Sequence, residues 1–125
     1  MTRLEHVNVT VEDPDGTAVI LCDLFGWTVR WAGPGMTTGR TVHVGGSDSY
    51  LALFSYGSPD AMRQESHRTL GGLNHIAVVV DDLAATAARV RAAGFVPGEV
   101  HDYEPGRRFY FPMPCGIEIE VVSYP

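Results

Sequence analysis

The chain has 125 residues, a formal net charge of −6 and a mean hydropathy near zero. This length fits one domain, or two small modules that share a core, and it requires no disulfide for folding. The acidic balance argues against nucleic acid or an anionic membrane as a partner, and no apolar run approaches the roughly 20 residues that span a bilayer, so we expect a cytoplasmic protein. All nine basic residues are arginine, which excludes chemistry that needs a lysine, such as Schiff-base formation.

The first half of the chain predicts the element order β-α-β-β-β. Its first segment alternates valines with polar residues, which is typical of a strand with one packed and one polar face. Asp13 and Pro14 then indicate a helix start, and Gly26 indicates its end. Residues 33–35 read as a loop. The predicted strands of this module cover 4–11, 27–31, 40–46 and 49–56.

The second half repeats this order. The segment LEHVNVTVED at 4–13 recurs as LNHIAVVVDD at 73–82, and an alanine-rich helix over 83–93 follows, capped by Asp81 or Asp82 and ended by Gly94. The predicted strands of the second half lie near 73–80, near 95–100, within RRFYFP (107–112) after its two arginines, and at 116–124.

The repeat predicts an α+β fold of two βαβββ modules with mixed sheets curled around a shared cup, in a single domain. Module one covers about 1–56 and module two about 73–125. The segment 57–72 between them, rich in Gly, Ser and Pro, is predicted to be a linker.

Two copies of one module usually pack about a pseudo-two-fold axis, so that equivalent positions face each other. His6 and His75 are equivalents, and alignment of the final strands makes Ala52 the equivalent of Glu120. In a shared cup, His6, His75 and Glu120 would converge on a divalent first-row metal (Fe, Mn, Ni, Zn or Co), whereas alanine offers no donor atom. The alternative is that both histidines are ordinary strand residues that bind no metal.

Three other side chains are expected on the same polar faces. His43 and Tyr110 occupy similar places in the third strands, so that both should point towards the cup, although each could simply be a structural residue. Glu118 shares the face of Glu120 and is a possible alternative ligand, a general base or a solvated charge at the rim.

The remaining candidates would contact substrate. Asn8 shares the face of His6 and could orient a ligand, or make a cross-strand hydrogen bond only. Arg107 and Arg108 precede the predicted strand and could bind an anionic substrate, or serve only solubility at the rim. Trp31 is a candidate cavity wall, or otherwise a core or dimer-interface residue.

The chain resembles the vicinal oxygen chelate superfamily, which includes glyoxalase I, extradiol dioxygenases, fosfomycin-resistance enzymes and bleomycin-resistance proteins. The resemblance covers essentially the whole chain and is carried by LEHVNVTV, LFGW, LNHIAVVVDD, RAAGF and RRFYFPMPCGIEIEVVSY. In the last stretch, Glu120 follows Gly116 by four residues, as the family's glutamate ligand commonly follows a glycine. The resemblance implies a metal-dependent lyase, isomerase, transferase or dioxygenase, a homodimer, and a small substrate that chelates the metal through neighbouring oxygens. It also implies a substrate-side role for Tyr110 and an acid–base role for His43.

Departures from the family pattern narrow the expected reaction. Ala52 removes the ligand that glyoxalase I would have on the last strand of module one, which disfavours that activity. The lysine-bearing loop of fosfomycin-resistance enzymes has no counterpart, since the chain has no lysine. The alternative function is a metal-free protein that sequesters an aromatic or antibiotic ligand, as bleomycin-resistance proteins do.

Overall fold

The computed structural model of the protein describes residues 1–36, 38–57, 59–61 and 65–125. The chain divides into two compact units, 1–60 and 61–125, and each has a four-stranded mixed sheet and one α-helix. The predicted α+β fold of two βαβββ modules is therefore confirmed. The division falls inside the predicted linker 57–72, of which residues 58 and 62–64 lie outside the described residues. The shared cup and the single domain stay predictions.

Module one has its strands in the order β1-β4-β3-β2, with β1 parallel to β4 and the other pairs antiparallel. Its elements are β1 (His6–Thr10), α1 (Pro14–Phe25), β2 (Thr28–Pro34), β3 (Arg40–Gly45) and β4 (Tyr50–Ser55). The helix begins as predicted, because the Asp13 side chain accepts a hydrogen bond from the Gly16 amide at 3.1 Å. It ends at Gly26, whose positive φ of 69° suits a residue without a Cβ.

Module two has the matching order β5-β8-β7-β6, with β5 parallel to β8. Its elements are β5 (Ile76–Val79), α2 (Leu83–Ala92), β6 (His101–Tyr103), β7 (Gly106–Pro112) and β8 (Glu118–Ser123), with short 3-10 turns at Ser66–Arg68 and Pro114–Gly116. Of the two predicted caps, the structure uses Asp82, which accepts a hydrogen bond from the Ala85 amide at 2.9 Å. Among the described residues, neither α-helix is long and apolar enough to cross a membrane.

Several predicted boundaries are wrong. The loop expected at 33–35 is partly strand, because β2 continues through Pro34 opposite Arg40. The strand expected at 95–100 lies instead at 101–103, since Pro97 lacks an amide hydrogen and Gly98 weakens a strand. His75 lies one residue before β5, which pairs with β8 only over Ile76–Val79.

Each sheet buries one face against its helix and leaves the polar face for the candidate site. In module one, α1 packs on β3 and β4. In module two, α2 packs on β8. The side chains that are at most 1% exposed in these cores include Leu21, Leu24, Val42, Val44, Leu53, Val90, Phe109, Phe111, Ile119 and Val121. Because strand side chains alternate, the residues between these apolar positions must point to the opposite face.

Candidate active site

The strand register gives the two modules equivalent positions. In module one, His43 of β3 lies opposite Ala52 of β4. In module two, Tyr110 of β7 lies opposite Glu120 of β8. The register thus agrees with the sequence alignment, in which the alanine replaces the glutamate and the imidazole corresponds to the phenol.

The first strands are equivalent as well. The β4 alanine pairs on its other side with Asn8 of β1, and the β8 glutamate pairs with Ala77 of β5. His6 and His75 each stand two residues before these partners. Each histidine therefore holds the same topological position in its own module.

Module two gathers three side chains around one carboxylate oxygen. Glu120 is 7% exposed, and its Oε1 accepts a hydrogen bond of 2.5 Å from the Tyr110 hydroxyl. Arg108 Nη1 is 3.6 Å from the same oxygen, and His75 Nε2 is 3.9 Å from it. A phenol, a guanidinium and an imidazole thus surround a single buried acid, which we call the Glu120 cluster (His75, Arg108, Tyr110 and Glu120).

The position of Arg108 corrects the sequence analysis. Strand β7 begins at Gly106, so that both arginines lie in the strand rather than before it. Arg108 shares the face of Tyr110 and is only 9% exposed. Arg107 points the other way, is exposed, and has its Nε 3.8 Å from Asp102 Oδ2. A rim position therefore describes Arg107 but not Arg108, whose charge is buried beside that of Glu120.

Glu118 shares the face of Glu120 by strand alternation, is half-buried and lies opposite Pro112. Its role stays open among those that the sequence allowed.

In module one, His6 has a different set of neighbouring side chains. His6 Nδ1 is hydrogen-bonded to Glu5 Oε1 at 2.9 Å, and the Tyr50 hydroxyl donates to the same oxygen at 3.2 Å. These two hydrogen bonds hold the pKa of Glu5 below its usual value. An ionised carboxylate can only accept hydrogen bonds, so Nδ1 must carry a proton. In the neutral imidazole, Nε2 is then the nitrogen with the lone pair that a metal would need.

A row of rings extends from this histidine across the sheet. The Tyr50 ring stacks on His6 at 4.9 Å between centroids and on His43 at 4.6 Å, and Trp31 lies 5.0 Å beyond His43. The Arg30 guanidinium lies 4.5 Å from the centre of the Tyr50 ring, within cation–π range. We call Trp31, His43, Tyr50 and His6 the ring row.

Two side chains of the ring row, His43 and Tyr50, have pKa values shifted towards their neutral forms. Burial lowers the pKa of His43, and the charges of His6 and Arg30 act in the same direction, so this imidazole is neutral at pH 7 and can accept a proton. Burial, followed by the hydrogen bond to Glu5, raises the pKa of the Tyr50 hydroxyl. Asn8 lies exposed on β1, and Trp31 keeps 49% of its surface exposed.

Sequence reasoning missed Glu5, Arg30 and Tyr50 as parts of the candidate site. Glu5 directly precedes His6, which was a usable signal for a carboxylate that orients a ligand. The position of Tyr50 in the candidate site follows only from the strand register, which pairs Tyr50 with His6 across a parallel pair of strands.

The donor atoms of the Glu120 cluster fit a divalent metal ion. First-row ions bind imidazole nitrogen and carboxylate oxygen at about 2.0–2.2 Å, so two ligands of one ion lie at most about 4.4 Å apart. The 3.9 Å between His75 Nε2 and Glu120 Oε1 is within this limit. Among the described residues, no group of three or more His, Cys, Asp or Glu side chains is placed to hold an ion. The third ligand therefore stays a prediction.

Solved structures share this fold over nearly their whole length. FosX from Listeria monocytogenes, solved with Mn(II) and sulfate, is 16% identical with a TM-score of 0.75, covering 100% of this chain and 94% of that one. TnmS3, an antibiotic binding protein from Streptomyces sp. CB03234, is 20% identical with a TM-score of 0.78, covering 100% and 98%. The oxidase ChaP-H2 is 25% identical with a TM-score of 0.73, covering 99% and 94%.

Comparison with curated protein sequences finds no match. The model of the glyoxalase/bleomycin resistance protein/dioxygenase superfamily, in contrast, matches residues 3–121. This match covers nearly all of the chain and includes both histidines and the buried glutamate. The chain therefore belongs to the glyoxalase/bleomycin resistance protein/dioxygenase superfamily.

Proposed function

We propose that the protein is a metal-dependent enzyme whose small substrate chelates the metal through neighbouring oxygens. The ligands are His6, His75 and Glu120, and the metal is Fe, Mn, Ni, Zn or Co. The observation that carries this proposal is the 3.9 Å separation of His75 Nε2 and Glu120 Oε1. FosX, which shares the fold, was solved with Mn(II), and this supports use of a divalent metal. When bound, the ion supplies Lewis-acid stabilisation of an oxyanion on the substrate.

Tyr110 and His43 are the proposed catalytic groups. The Tyr110 hydroxyl fixes the orientation of Glu120 through its hydrogen bond, and it is also a proton donor on the site face of the sheet. His43 is neutral because burial lowers its pKa, so that it can accept a proton from a substrate. The two groups occupy equivalent positions opposite the last strand of their modules.

Three side chains are proposed to contact the substrate. Trp31, half-exposed at the end of the ring row, offers a flat apolar surface. Asn8 offers an amide on the same face as His6. Arg108 supplies a permanent positive charge for an anionic oxygen.

Elemental analysis of the purified protein tests the ligand set. The wild type should contain one equivalent of a first-row metal, and His6→Ala, His75→Ala and Glu120→Gln should each lose it. His67→Ala is the matched control, because His67 is an exposed histidine in the turn Ser66–Arg68. A wild type without metal after reconstitution, or ligand variants that keep it, would refute the proposal.

A substrate panel tests the reaction class. Dicarbonyls, epoxides with thiols, and catechols should be tried with Fe(II), Mn(II), Ni(II) and Zn(II). Activity in at least one series that Tyr110→Phe reduces by about 10²-fold would support an acid–base role for this residue. We expect no glyoxalase I activity, because Ala52 leaves the fourth ligand position without a donor.

A metal-free ligand-binding protein is the second candidate. The observation that favours it is the buried counter-ion, because Arg108 neutralises Glu120 without any metal. The ring row suits an aromatic ligand, and TnmS3, of the same fold, is an antibiotic binding protein. Calorimetric titration with an aromatic antibiotic, with and without chelator, separates the two candidates. Binding that neither chelator nor Glu120→Gln changes would favour this second function.

The assembly and location complete the proposal. The partner is a small molecule rather than nucleic acid or membrane, the protein forms a homodimer, and it resides in the cytoplasm. Light scattering coupled to size-exclusion chromatography should give twice the mass of one 13.6 kDa chain. A mass of one chain at micromolar concentration would refute the dimer.

A further inference from the structure

Arg108 places a buried positive charge against a proposed metal ligand. Its Nη1 is 3.6 Å from Glu120 Oε1, and the two side chains are only 11% and 9% exposed. The same oxygen is the one that faces His75 Nε2. A cation that binds between the imidazole and the carboxylate would therefore meet a second cation close by.

This charge cannot be removed by a proton transfer. A guanidinium stays protonated at every pH that a folded protein tolerates. Repulsion between like charges is strong where little water screens them, so a bound metal ion and the guanidinium compete for the same carboxylate.

Arg108 and Glu120 occur together in module two, and module one has neither an arginine nor an acid at the equivalent positions. Arg108 lies opposite Val122, two residues beyond Glu120, and Thr41 lies opposite Phe54, two residues beyond Ala52. Thr41 is thus the module-one equivalent of Arg108. The module without the acid is also the module without the arginine, as expected if the guanidinium serves the carboxylate.

Stability alone does not account for this arrangement. Replacement of a buried ion pair by apolar residues of similar volume is often neutral or stabilising. The neighbouring Arg107 is exposed on the other face of β7, so the strand itself does not require a buried arginine.

We propose that Arg108 is the resident counter-ion of Glu120 in the metal-free protein and that metal binding displaces it. Arg108 then lowers the affinity of the site for metal, and displacement makes its guanidinium available for the substrate contact proposed above. This inference rests on the proposed function, in which Glu120 is a ligand. It concerns Arg108 rather than the three ligands, and the quantity it predicts is the metal affinity.

The test compares the affinity of metal-free protein for Mn(II) and Zn(II) in three variants, measured by competition with a chromophoric chelator. Arg108→Met should bind at least tenfold more tightly than the wild type. Arg107→Met is the matched control and should stay within threefold. Arg108→Lys keeps the charge and should remain close to the wild type, which separates charge from packing. If Arg108→Met does not fold, Arg108→Gln takes its place in the same comparison.

The outcomes distinguish the two proposals. If the wild type binds metal and the neutral variants bind no more tightly, the counter-ion proposal is overturned and the metal proposal stands. If neither the wild type nor the neutral variants bind metal, both are overturned. If Arg108→Met and Arg108→Lys both bind metal more tightly than the wild type, the counter-ion proposal is also overturned, because the charge would then be irrelevant.

Discussion

The energetic link between Arg108 and Glu120 can be measured in metal-free protein by a double-mutant cycle of Arg108→Met and Glu120→Gln. At the observed 3.6 Å, the gross attraction is about 4–5 kcal/mol for an effective dielectric constant of about 20. Desolvation of both groups offsets much of this, so the pair contributes little net stability. Removal of one partner is different, because it leaves the other charge buried without this counter-ion, at a cost of about 3–5 kcal/mol.

The double variant should therefore be no less stable than either single variant, which corresponds to a coupling energy of at least about 3 kcal/mol. Urea unfolding followed by circular dichroism, with chelator present throughout, gives each free energy of unfolding. The slope of the free energy of unfolding against urea concentration must be the same in all four proteins for the comparison to hold.

A second cycle provides the control. Arg107→Met and Asp102→Asn remove a pair at a similar separation of 3.8 Å, but both side chains are more than half exposed. Their coupling should stay below about 1 kcal/mol, because solvent screens the pair. If the effects of Arg108→Met and Glu120→Gln add within about 0.5 kcal/mol, the two residues act independently and the argument for a buried ion pair is wrong.

Four further predictions concern single residues. Tyr110→Phe removes a hydrogen bond to a carboxylate and should cost about 1.5–3 kcal/mol in urea unfolding, whereas Tyr124→Phe, half-exposed in the same module, should cost less than about 0.5 kcal/mol; equal losses would contradict the assigned bond. Asp82→Ala removes the cap of α2 and should lower the free energy of unfolding by about 1 kcal/mol, seen as a lower Tm, and an unchanged Tm would mean that the cap is unimportant. Phe109→Ala opens a cavity in the core of module two and should lower the free energy of unfolding by about 3–5 kcal/mol in the same urea assay. A loss under about 1 kcal/mol would contradict this prediction. Glu5→Gln should weaken metal binding about 10–100-fold in the chelator competition, because the histidine beside it loses its orienting carboxylate, and an unchanged affinity would exclude that role.

The sequence predicted the features that depend on local patterns. Both helix starts follow from an aspartate that can accept a hydrogen bond from the first turn, and both caps are observed at Asp13 and Asp82. The internal repeat predicted two modules of one topology, because equal spacing of strands and helices requires equal connections. The alternation in 4–11 predicted the packed face correctly for Val9 and Val11, which are buried, but wrongly for Val7, which is exposed.

Features that depend on the exact start of a strand were less predictable. Side chains alternate along a strand, so the face that a residue occupies follows only once it is known to lie in the strand. The strand containing Arg108 was expected to start after both arginines, and this placed them at the rim instead of assigning them to opposite faces. The exposed and the buried arginine are chemically identical in sequence, and only the register against β8 separates them.

The contact between Tyr50 and Glu5 was not predictable from the sequence. The bond from Tyr50 to Glu5 joins residues 45 positions apart, and it depends on the parallel pairing of β1 with β4. A parallel pair has no hairpin turn to fix its register, so the sequence near either strand does not reveal which residues become neighbours.

The two modules support their histidines with carboxylates that come from different places in the chain. Glu5, which directly precedes His6, bonds to its ring at 2.9 Å, whereas the corresponding position before His75 is Asn74. His75 instead faces Glu120 across the sheet at 3.9 Å, where module one has an alanine. Each imidazole thus has one acid within reach, Glu5 for His6 and Glu120 for His75. The repeat predicted the equivalent histidines and the replacement of the glutamate by Ala52, but it could not predict Glu5 as a partner, because the two modules differ at that position.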